Sequence, residues 1–206
     1  DFQRAIYEEF YCNLPPFHVL HNPVSQPVVS AQALHPAPHQ PLKLLFVGRF
    51  VGFKNLFVLI DAMKLLPEAT LTLVGDGPLK HRLTEHARTL GGRVKFLPPA
   101  HGEELPRTFD AHDALILPSI TEISPNVALE ALARQLPVLL TEETGLQELP
   151  GYPIVKAKLR SPEDIAEAVR AFAANYPRLS TDARGREWGV VAKEWVELFE
   201  KVIGSR

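Results

Sequence analysis

Short apolar runs alternate with stretches of helical periodicity from Leu42 almost to the end of this chain. Each run is apolar along nearly its whole length, and glycine or proline follows most of them. Strands of this kind are typical of a parallel sheet that is covered on both faces, and the helical stretches supply the right-handed crossovers. The pattern therefore predicts an α/β fold, with a parallel sheet of about six strands and helices on both faces.

The predicted strands begin at Leu42, Thr70, Val94, Ala114, Pro137 and Ile154. Helices are predicted at residues 56–66, 79–90, 103–111, 125–134 and 183–203. A further helix should begin after Ser161, which forms a capping pattern with Asp164. Ligands of a parallel sheet bind outside the carboxyl ends of its strands. This rule directs the search for a site to the loops that follow the first five strands.

Charge and cysteine content exclude several classes of protein. The chain has 22 Lys and Arg against 24 Asp and Glu, so it lacks the basic surface that nucleic-acid binding requires. No apolar run is as long as a membrane span, and no signal-peptide pattern is present. Cys12 is the only cysteine, so a reducing, cytoplasmic location is expected. Because the sequence begins with Asp1 rather than methionine, we expect a fragment or a processed product.

Proline is concentrated between Pro15 and Pro41, where seven of the nineteen prolines lie. This composition predicts an extended linker. His35 and His39 have the spacing of metal ligands on a helix, but the intervening prolines prevent a helix there. Both histidines are therefore predicted to be solvated linker residues.

A polar helix start follows the fourth strand. Ser124 is predicted to be the N-cap of this helix, and Pro125 suits its first position because proline has no N–H to leave unpaired. The amides of Asn126 and Val127 then point out of the helix end, where the helix dipole attracts anions. These features predict a phosphate site.

Two carboxylates flank this helix start. Glu122 lies in the loop before it, and Glu130 comes one helical repeat after Asn126, so its side chain leans back over the same end. A ligand with a phosphate between two polyhydroxyl groups would match, with the amides for the phosphate and one carboxylate for each diol. That ligand is a sugar nucleotide. The alternative is an acidic helix start on the surface.

The loop after the first strand carries two cations that flank a predicted helix start. Gly48 allows the backbone to approach a ligand closely, and Arg49 and Lys54 follow it. A diphosphate leaving group needs its charge offset, which these two cations would do without a metal. The alternative is a solvated loop with ordinary surface cations.

Other motifs point away from further functions. The sequence Gly75-Asp76-Gly77-Pro78 lacks the third glycine of a dinucleotide fingerprint, so we predict a tight turn there. The chain has neither a P-loop motif nor the Gly-x-Ser-x-Gly motif of serine hydrolases. A polar cluster at residues 141–145, with Glu148, is either a wall of the site or a helix cap, and the cap is favoured.

Taken together, these motifs resemble those of one enzyme family. From about Leu42 to Phe199 the chain resembles the C-terminal, donor-binding half of a GT-B-fold glycosyltransferase of the retaining group 1 (family 4) class, which is Rossmann-like. The matching segments occur in the family's order. They are Phe46-Val47-Gly48-Arg49 with Lys54; Val74-Gly75-Asp76-Gly77-Pro78; Val94-Lys95-Phe96-Leu97; Leu117-Pro118-Ser119 with Glu122 and Glu130; and Pro137-Val138 with Gly145 and Glu148.

The resemblance implies a role for each matching position. Arg49 and Lys54 would hold the diphosphate, Glu130 the ribose hydroxyls, and Glu122 the hydroxyls of the transferred sugar. The catalytic residues implied are Glu122, Arg49 and Lys54, with no metal and no cofactor. The donor-binding residues expected are Gly48, Arg49, Lys54, Leu97, Pro98, Glu122, Ser124, Asn126, Val127 and Glu130, with the backbone near Leu97 and Pro98 contacting the base.

One departure concerns the sugar. The family commonly has Phe-Gly where this chain has Ser124-Pro125. Proline cannot donate an amide hydrogen bond, so a sugar contact made by a glycine N–H at this point is absent. The departure leaves open which sugar the donor carries, and it does not affect the nucleotide half of the site.

The resemblance also implies a domain organisation. Residues 1–22 would be the remnant of an N-terminal domain, 23–41 a Pro-rich linker, 42–178 the Rossmann-like nucleotide-sugar-binding domain, and 179–206 a C-terminal helix that crosses towards the missing domain. The acceptor, a glycan, lipid or small molecule, would bind through that missing domain. We therefore expect the fragment to be inactive alone and to dimerise through its uncovered apolar faces.

The full-length protein is expected in the cytoplasm or peripheral to the inner face of a membrane. Two alternatives to a transferase are open. One is a GT-B-like sugar-nucleotide epimerase or phosphorylase domain, and the other is a non-catalytic nucleotide-binding module.

Overall fold

A computed structural model describes residues 7–10, 38–146, 152–176 and 188–204 of the chain. Its strands are β1 (Leu42–Val47), β2 (Ala69–Val74), β3 (Val94–Leu97), β4 (Ala114–Leu117), β5 (Val138–Thr141) and β6 (Ile154–Ala157). Its helices are α1 (Leu56–Leu65), α2 (Lys80–His86), α3 (Glu104–Asp110), α4 (Asn126–Ala133), α5 (Pro162–Asn175) and α6 (Trp188–Gly204). Gly52–Lys54 and Ala87–Arg93 are 3-10 helices, and residues 7–10 are helical. The expected remnant of residues 1–22 and most of the expected linker lie outside the described residues.

The six strands form one parallel sheet in the order β3-β2-β1-β4-β5-β6. The predicted Rossmann-like α/β fold is confirmed. The chain leaves β1 towards β2 on one side and returns to place β4 on the other, so the order reverses between β1 and β4. This is the switch point at which sheets of this type bind ligands. The position of the switch point follows from the strand order and was not predicted.

The central strands form the core because they are buried on both faces, whereas the edge strands β3 and β6 are only partly buried. In β4 and β5 every residue is buried, and β1 has buried residues at Leu44, Leu45 and Phe46. The apolar face of α1 is buried through residues such as Leu59 and Ile60, and α1 packs on α5. Burial of whole strands explains why the sequence shows continuous apolar runs and not the two-residue alternation of a half-exposed sheet.

Helix ends agree with the sequence where a side chain caps them. At α5, the Ser161 hydroxyl accepts a hydrogen bond from the amide of Asp164 at 3.1 Å, and the Asp164 carboxylate accepts one from the amide of Ser161 at 3.0 Å. The predicted helix 79–90 is shorter than expected. Its α-helical part ends at His86, and Gly91 has a φ of 57° within the 3-10 segment that follows. Glycine adopts this conformation easily, and it interrupts the helical path within the 3-10 segment before β3.

The prediction that His39 is a solvated linker residue is wrong. Its backbone N–H and its Nδ1 lie 3.1 and 2.7 Å from Oδ1 of Asp113, which is fully buried. The N–H of Lys43 donates to the other carboxylate oxygen at 2.8 Å. Because β1 and β4 are neighbours, the segment that enters β1 passes the residue that precedes β4. His35 lies outside the described residues.

Helix α6 is amphipathic, and several of its apolar residues are exposed. Trp195 is 45% exposed and its ring lies 5.4 Å from that of Phe199, which is also exposed. Val191 is buried. Across the described residues, no helix is both long enough and apolar enough to cross a membrane. The predicted dimer through such faces stays a prediction.

Candidate functional site

The loops that follow β1 and β4 meet at the switch point. The N–H of Ile120, after β4, donates to the carbonyl of Phe53, after β1, at 2.8 Å. This backbone contact places Lys54 beside Glu122, and the Lys54 ammonium donates to Oε2 of that carboxylate. Two residues assigned separately, one to a diphosphate and one to a sugar, therefore form an ion pair with each other.

This ion pair is largely shielded from solvent. The side chains of Lys54 and Glu122 are 17% and 15% exposed. The hydroxyl of Ser119, which is buried at 1% exposure, also donates to Oε2 of Glu122 at 3.2 Å. The Lys54 ammonium lies 5.2 Å from the centre of the Phe53 ring. Partial burial strengthens such charge-assisted hydrogen bonds relative to those in water.

The backbone of Glu122 is held by the loop after β5. The N–H of Glu122 donates to the carbonyl of Glu143 at 3.0 Å, and the N–H of Gly145 donates to the carbonyl of Glu122 at 2.7 Å. These bonds form a parallel bridge between Glu122 and Thr144. A Cβ at position 145 would lie 2.3 Å from the carbonyl oxygen of Ile123, so only glycine allows this approach.

Residues 141–145 were predicted to form a helix cap or a wall of the site, with the cap favoured. The structure shows that they support the Glu122 loop through backbone hydrogen bonds, and the choice between wall and cap stays a prediction. Glu143 also pairs with Arg160. Glu148 lies outside the described residues.

The glycines after β2 allow the loops after β1 and β2 to pack closely. A Cβ on Gly75 would lie 2.0 Å from the carbonyl oxygen of Gly48, and one on Gly77 would lie 2.6 Å from that of Phe50. Phe50 is buried between the rings of Phe46 and Phe96. The predicted structural role of the Gly75–Pro78 turn is consistent with this packing.

A cleft of about 440 Å³ opens at the carboxyl ends of β1, β2 and β3. It is lined by Val47, Gly48, Arg49, Val74, Gly75, Asp76, Gly77, Pro99 and Ala100. Arg49 is exposed, and its guanidinium forms no hydrogen bond or ion pair with any residue that the structure describes. A guanidinium beside a cleft and without a protein partner is well placed to bind an anion.

The segment predicted to contact a base, Leu97 and Pro98, directly precedes two residues that line this cleft, and its contact with a base stays a prediction. The cleft is lined by Pro99 and Ala100, the two residues after Pro98, and not by Leu97 and Pro98. Leu97 is 43% exposed, and its carbonyl accepts a hydrogen bond from the N–H of Gly75 at 3.1 Å. That carbonyl is therefore partly occupied within the protein.

The start of α4 is one residue later than predicted. Pro125, and not Ser124, is the N-cap, and no side chain caps the helix. The Pro125 carbonyl accepts hydrogen bonds from the N–H groups of Ala128 and Leu129 at 2.9 and 3.3 Å. Asn126 and Val127 thus occupy the first two helical positions, whose N–H groups have no intrahelical acceptor.

Glu130 lies on α4, one turn after its start. The residue is exposed, yet nearby protein atoms desolvate the carboxylate in part and so raise the pKa of the Glu130 side chain above its ordinary value. No described residue forms an ion pair or hydrogen bond that would offset this cost. A partly desolvated carboxylate without hydrogen-bond donors is costly, so a ligand that supplies those donors would bind favourably there.

The sequence missed the contact of Ser119 with Glu122. Its only signal was a hydroxyl residue two positions after a buried strand, in the Leu117-Pro118-Ser119 segment. The backbone hydrogen bond from Glu122 to Glu143 could not be predicted from the sequence either, because it depends on β4 and β5 being neighbours in the sheet. The described residues contain no group of three or more His, Cys, Asp or Glu side chains arranged to hold a metal.

Comparison with known proteins gives consistent matches. Residues 41–175 match the family model described as glycosyl transferases group 1. A D-inositol 3-phosphate glycosyltransferase from Geodermatophilus obscurus is 34% identical over 186 residues, which cover 79% of this chain and 39% of that protein. The chain spans less than half the length of the first curated relatives it matches.

Solved structures share the fold. Sucrose-phosphate synthase from Thermosynechococcus elongatus matches with a TM-score of 0.79 and 22% identity, covering 100% of this chain and 57% of that one. Anabaena HepE in complex with UDP matches with a TM-score of 0.62 and 20% identity, covering 78% of this chain and 49% of that one. These identities are low, so the likeness describes the fold and the arrangement of its strands.

Proposed function

The chain belongs to the group 1 glycosyltransferases, and on that basis we propose that it is the domain that binds a nucleotide-diphospho-sugar. The sugar would be a hexose, transferred to an acceptor with retention of configuration. The acceptor, a glycan, lipid or small molecule, would bind mainly outside this chain. The chain alone would therefore bind donor without useful transfer.

One observation carries the proposal. Three groups follow the strands at the switch point of the sheet: the Arg49 guanidinium, which has no partner among the described residues; the Lys54–Glu122 pair; and the partly desolvated Glu130. These groups offer cations for a diphosphate and carboxylates for hydroxyl groups. A ligand that carries only one of these features would leave part of the set unused.

The diphosphate would bind between the start of α4 and the β1 loop. The amides of Asn126 and Val127 and the Arg49 guanidinium would donate to it. Lys54 is already neutralised by Glu122, so Arg49 should contribute more of the net charge that offsets the phosphates. The ribose would bind Glu130, and the base would enter the cleft beside Pro99 and Ala100.

A thermal-shift panel tests the proposal. We would measure the unfolding midpoint of the chain with UDP, GDP, ADP and their glucose or mannose derivatives. UDP is included because one structural neighbour was solved with it. A ligand present at one hundred times its Kd stabilises by about 2.7 kcal/mol, which raises the midpoint by roughly 5–10 °C.

Matched arginine variants provide the control. Arg49→Gln should lose most of the shift, whereas Arg88→Gln should keep it, because Arg88 is exposed and its partner among the described residues is Glu85 on the adjoining helix. If no nucleotide stabilises the wild-type chain, the proposed donor-binding function is wrong. If both variants respond alike, Arg49 is not part of the site.

A further inference from the structure

Ser119 is a buried polar residue next to the proposed site. It lies two residues beyond the end of β4 and is 1% exposed. A buried hydroxyl is costly unless it is hydrogen-bonded, and this one donates to Oε2 of Glu122 at 3.2 Å. Among the residues that the structure describes, the only hydrogen-bond partner of this hydroxyl is therefore a carboxylate of the site.

Both side-chain bonds to Glu122 reach the same oxygen. Lys54 and Ser119 donate to Oε2. The other oxygen, Oε1, has no partner among the residues that the structure describes. An ionised carboxylate has about four acceptor positions on its two oxygens, so Oε1 keeps its full capacity for a donor from a ligand.

The backbone of this residue is fixed independently of its side chain. The bonds to Glu143 and Gly145 hold the main chain of Glu122. Only the side-chain torsions of Glu122 remain to be set, and Lys54 and Ser119 set them together. Removal of the Ser119 hydroxyl should therefore change where the carboxylate points without displacing the loop.

Bound diphosphate would compete for Lys54. The ammonium can turn towards a phosphate, because a lysine side chain is flexible and its charge is not directional. Ser119 cannot follow, since its side chain is short and buried. Once Lys54 is shared with the phosphate, Ser119 becomes the group that holds the carboxylate in place.

We propose that Ser119 is a positioning residue, which holds Glu122 through Oε2 so that Oε1 accepts a hydrogen bond from one hydroxyl of the donor sugar. This inference rests on the proposed function. It predicts that Ser119 affects recognition of the sugar and leaves recognition of the nucleotide unchanged. A residue with a merely structural role would affect both or neither.

The test compares ligands with and without the sugar. Calorimetry on the 206-residue chain would measure Kd for three pairs: UDP and UDP-glucose, GDP and GDP-mannose, and ADP and ADP-glucose. Within the pair that binds wild type best, the sugar should strengthen binding. Ser119→Ala should reduce that gain by about tenfold, the loss expected for one charge-assisted hydrogen bond, while the Kd of the nucleoside diphosphate stays within about twofold.

Two further variants separate positioning from stability. Ser119→Thr keeps the hydroxyl and should restore most of the gain from the sugar. Ser161→Ala removes a capping hydroxyl of α5, so it should lower the unfolding midpoint but leave every Kd unchanged. The inference is overturned if Ser119→Ala keeps the full gain, if it weakens both ligands of a pair equally, or if the sugar adds nothing in wild type. If no pair binds wild type, the proposed function itself fails.

Discussion

Gly145→Ala tests whether the loop after β5 holds Glu122 in place. The added Cβ would lie 2.3 Å from the carbonyl oxygen of Ile123, whereas ordinary contacts begin near 3.4 Å. The two loops must therefore separate by about 1 Å, which lengthens the bonds of 2.7 and 3.0 Å that join Glu122 to Gly145 and Glu143. Each hydrogen bond contributes about 0.5–1.5 kcal/mol, and overpacking adds about 1–3 kcal/mol.

We expect Gly145→Ala to lower the free energy of unfolding by about 3 kcal/mol. For a chain of this size that lowers the thermal midpoint by roughly 6–12 °C. The backbone φ of Gly145 lies outside the left-handed region, so the penalty is steric and not torsional. The assay is thermal unfolding followed by circular dichroism, together with the affinity for a nucleotide sugar, which should fall because Glu122 moves.

Gly92→Ala is the matched control. A Cβ on Gly92 meets nothing within 4 Å, and its φ is not in the left-handed region. Alanine there should be neutral or slightly stabilising, because it restricts the unfolded chain. If Gly145→Ala unfolds at the same temperature as Gly92→Ala, the two loops are not held together as described, and the argument for a fixed Glu122 is wrong.

Two further predictions concern charged groups. Because partial desolvation raises the pKa of Glu130, nucleotide affinity should fall as the pH drops from about 7 towards 5. Glu130→Gln should bind nucleotide roughly ten- to a hundredfold more weakly and should lose that part of the pH dependence. If titration calorimetry gives the same pH profile for both proteins, Glu130 is not part of the site. Burial and the charge of Asp113 raise the pKa of Tyr176 to about 12, so wild type should lose stability as the pH rises above about 10, where the unfolded tyrosine ionises first. Asp113→Asn should lower that pKa in an absorbance titration, with Tyr176→Phe to identify the signal. It should also lower the free energy of unfolding by about 1–3 kcal/mol, because one of the two acceptor oxygens becomes an NH2 group that cannot accept from the backbone N–H facing it. An unchanged Tyr176 titration would show that the charge of Asp113 does not affect the pKa of Tyr176.

The strands and most helices could be predicted because their signals are local. Apolar runs such as Leu42–Val47 and Val94–Leu97 match the observed strands residue for residue. The capping box at Ser161 was readable since both of its hydrogen bonds join residues three apart. Helix ends without a capping side chain were harder to predict. The start of α4, which no side chain caps, was therefore predicted one residue too early.

The prediction for His39 failed because its partner is distant in the chain. His39 and Asp113 are 74 residues apart in the sequence. The residues around His39 therefore give no indication that a buried carboxylate at the start of β4 will contact it. The Pro-rich segment around His39 has the composition of a linker. Its last residues are ordered against the sheet because a buried carboxylate requires donors.

The sequence by itself determined the α/β class and the candidate set of Arg49, Lys54, Glu122 and Glu130. Both depend on local properties, namely the spacing of apolar residues and the chemistry of single side chains. The sequence could not determine which of these residues touch one another. The tertiary structure decided that Lys54 pairs with Glu122, that Ser119 holds the same carboxylate oxygen, and that Gly145 supports the loop. Those contacts exist because β4 lies between β1 and β5, and strand order depends on the packing of the whole sheet and not on any one segment.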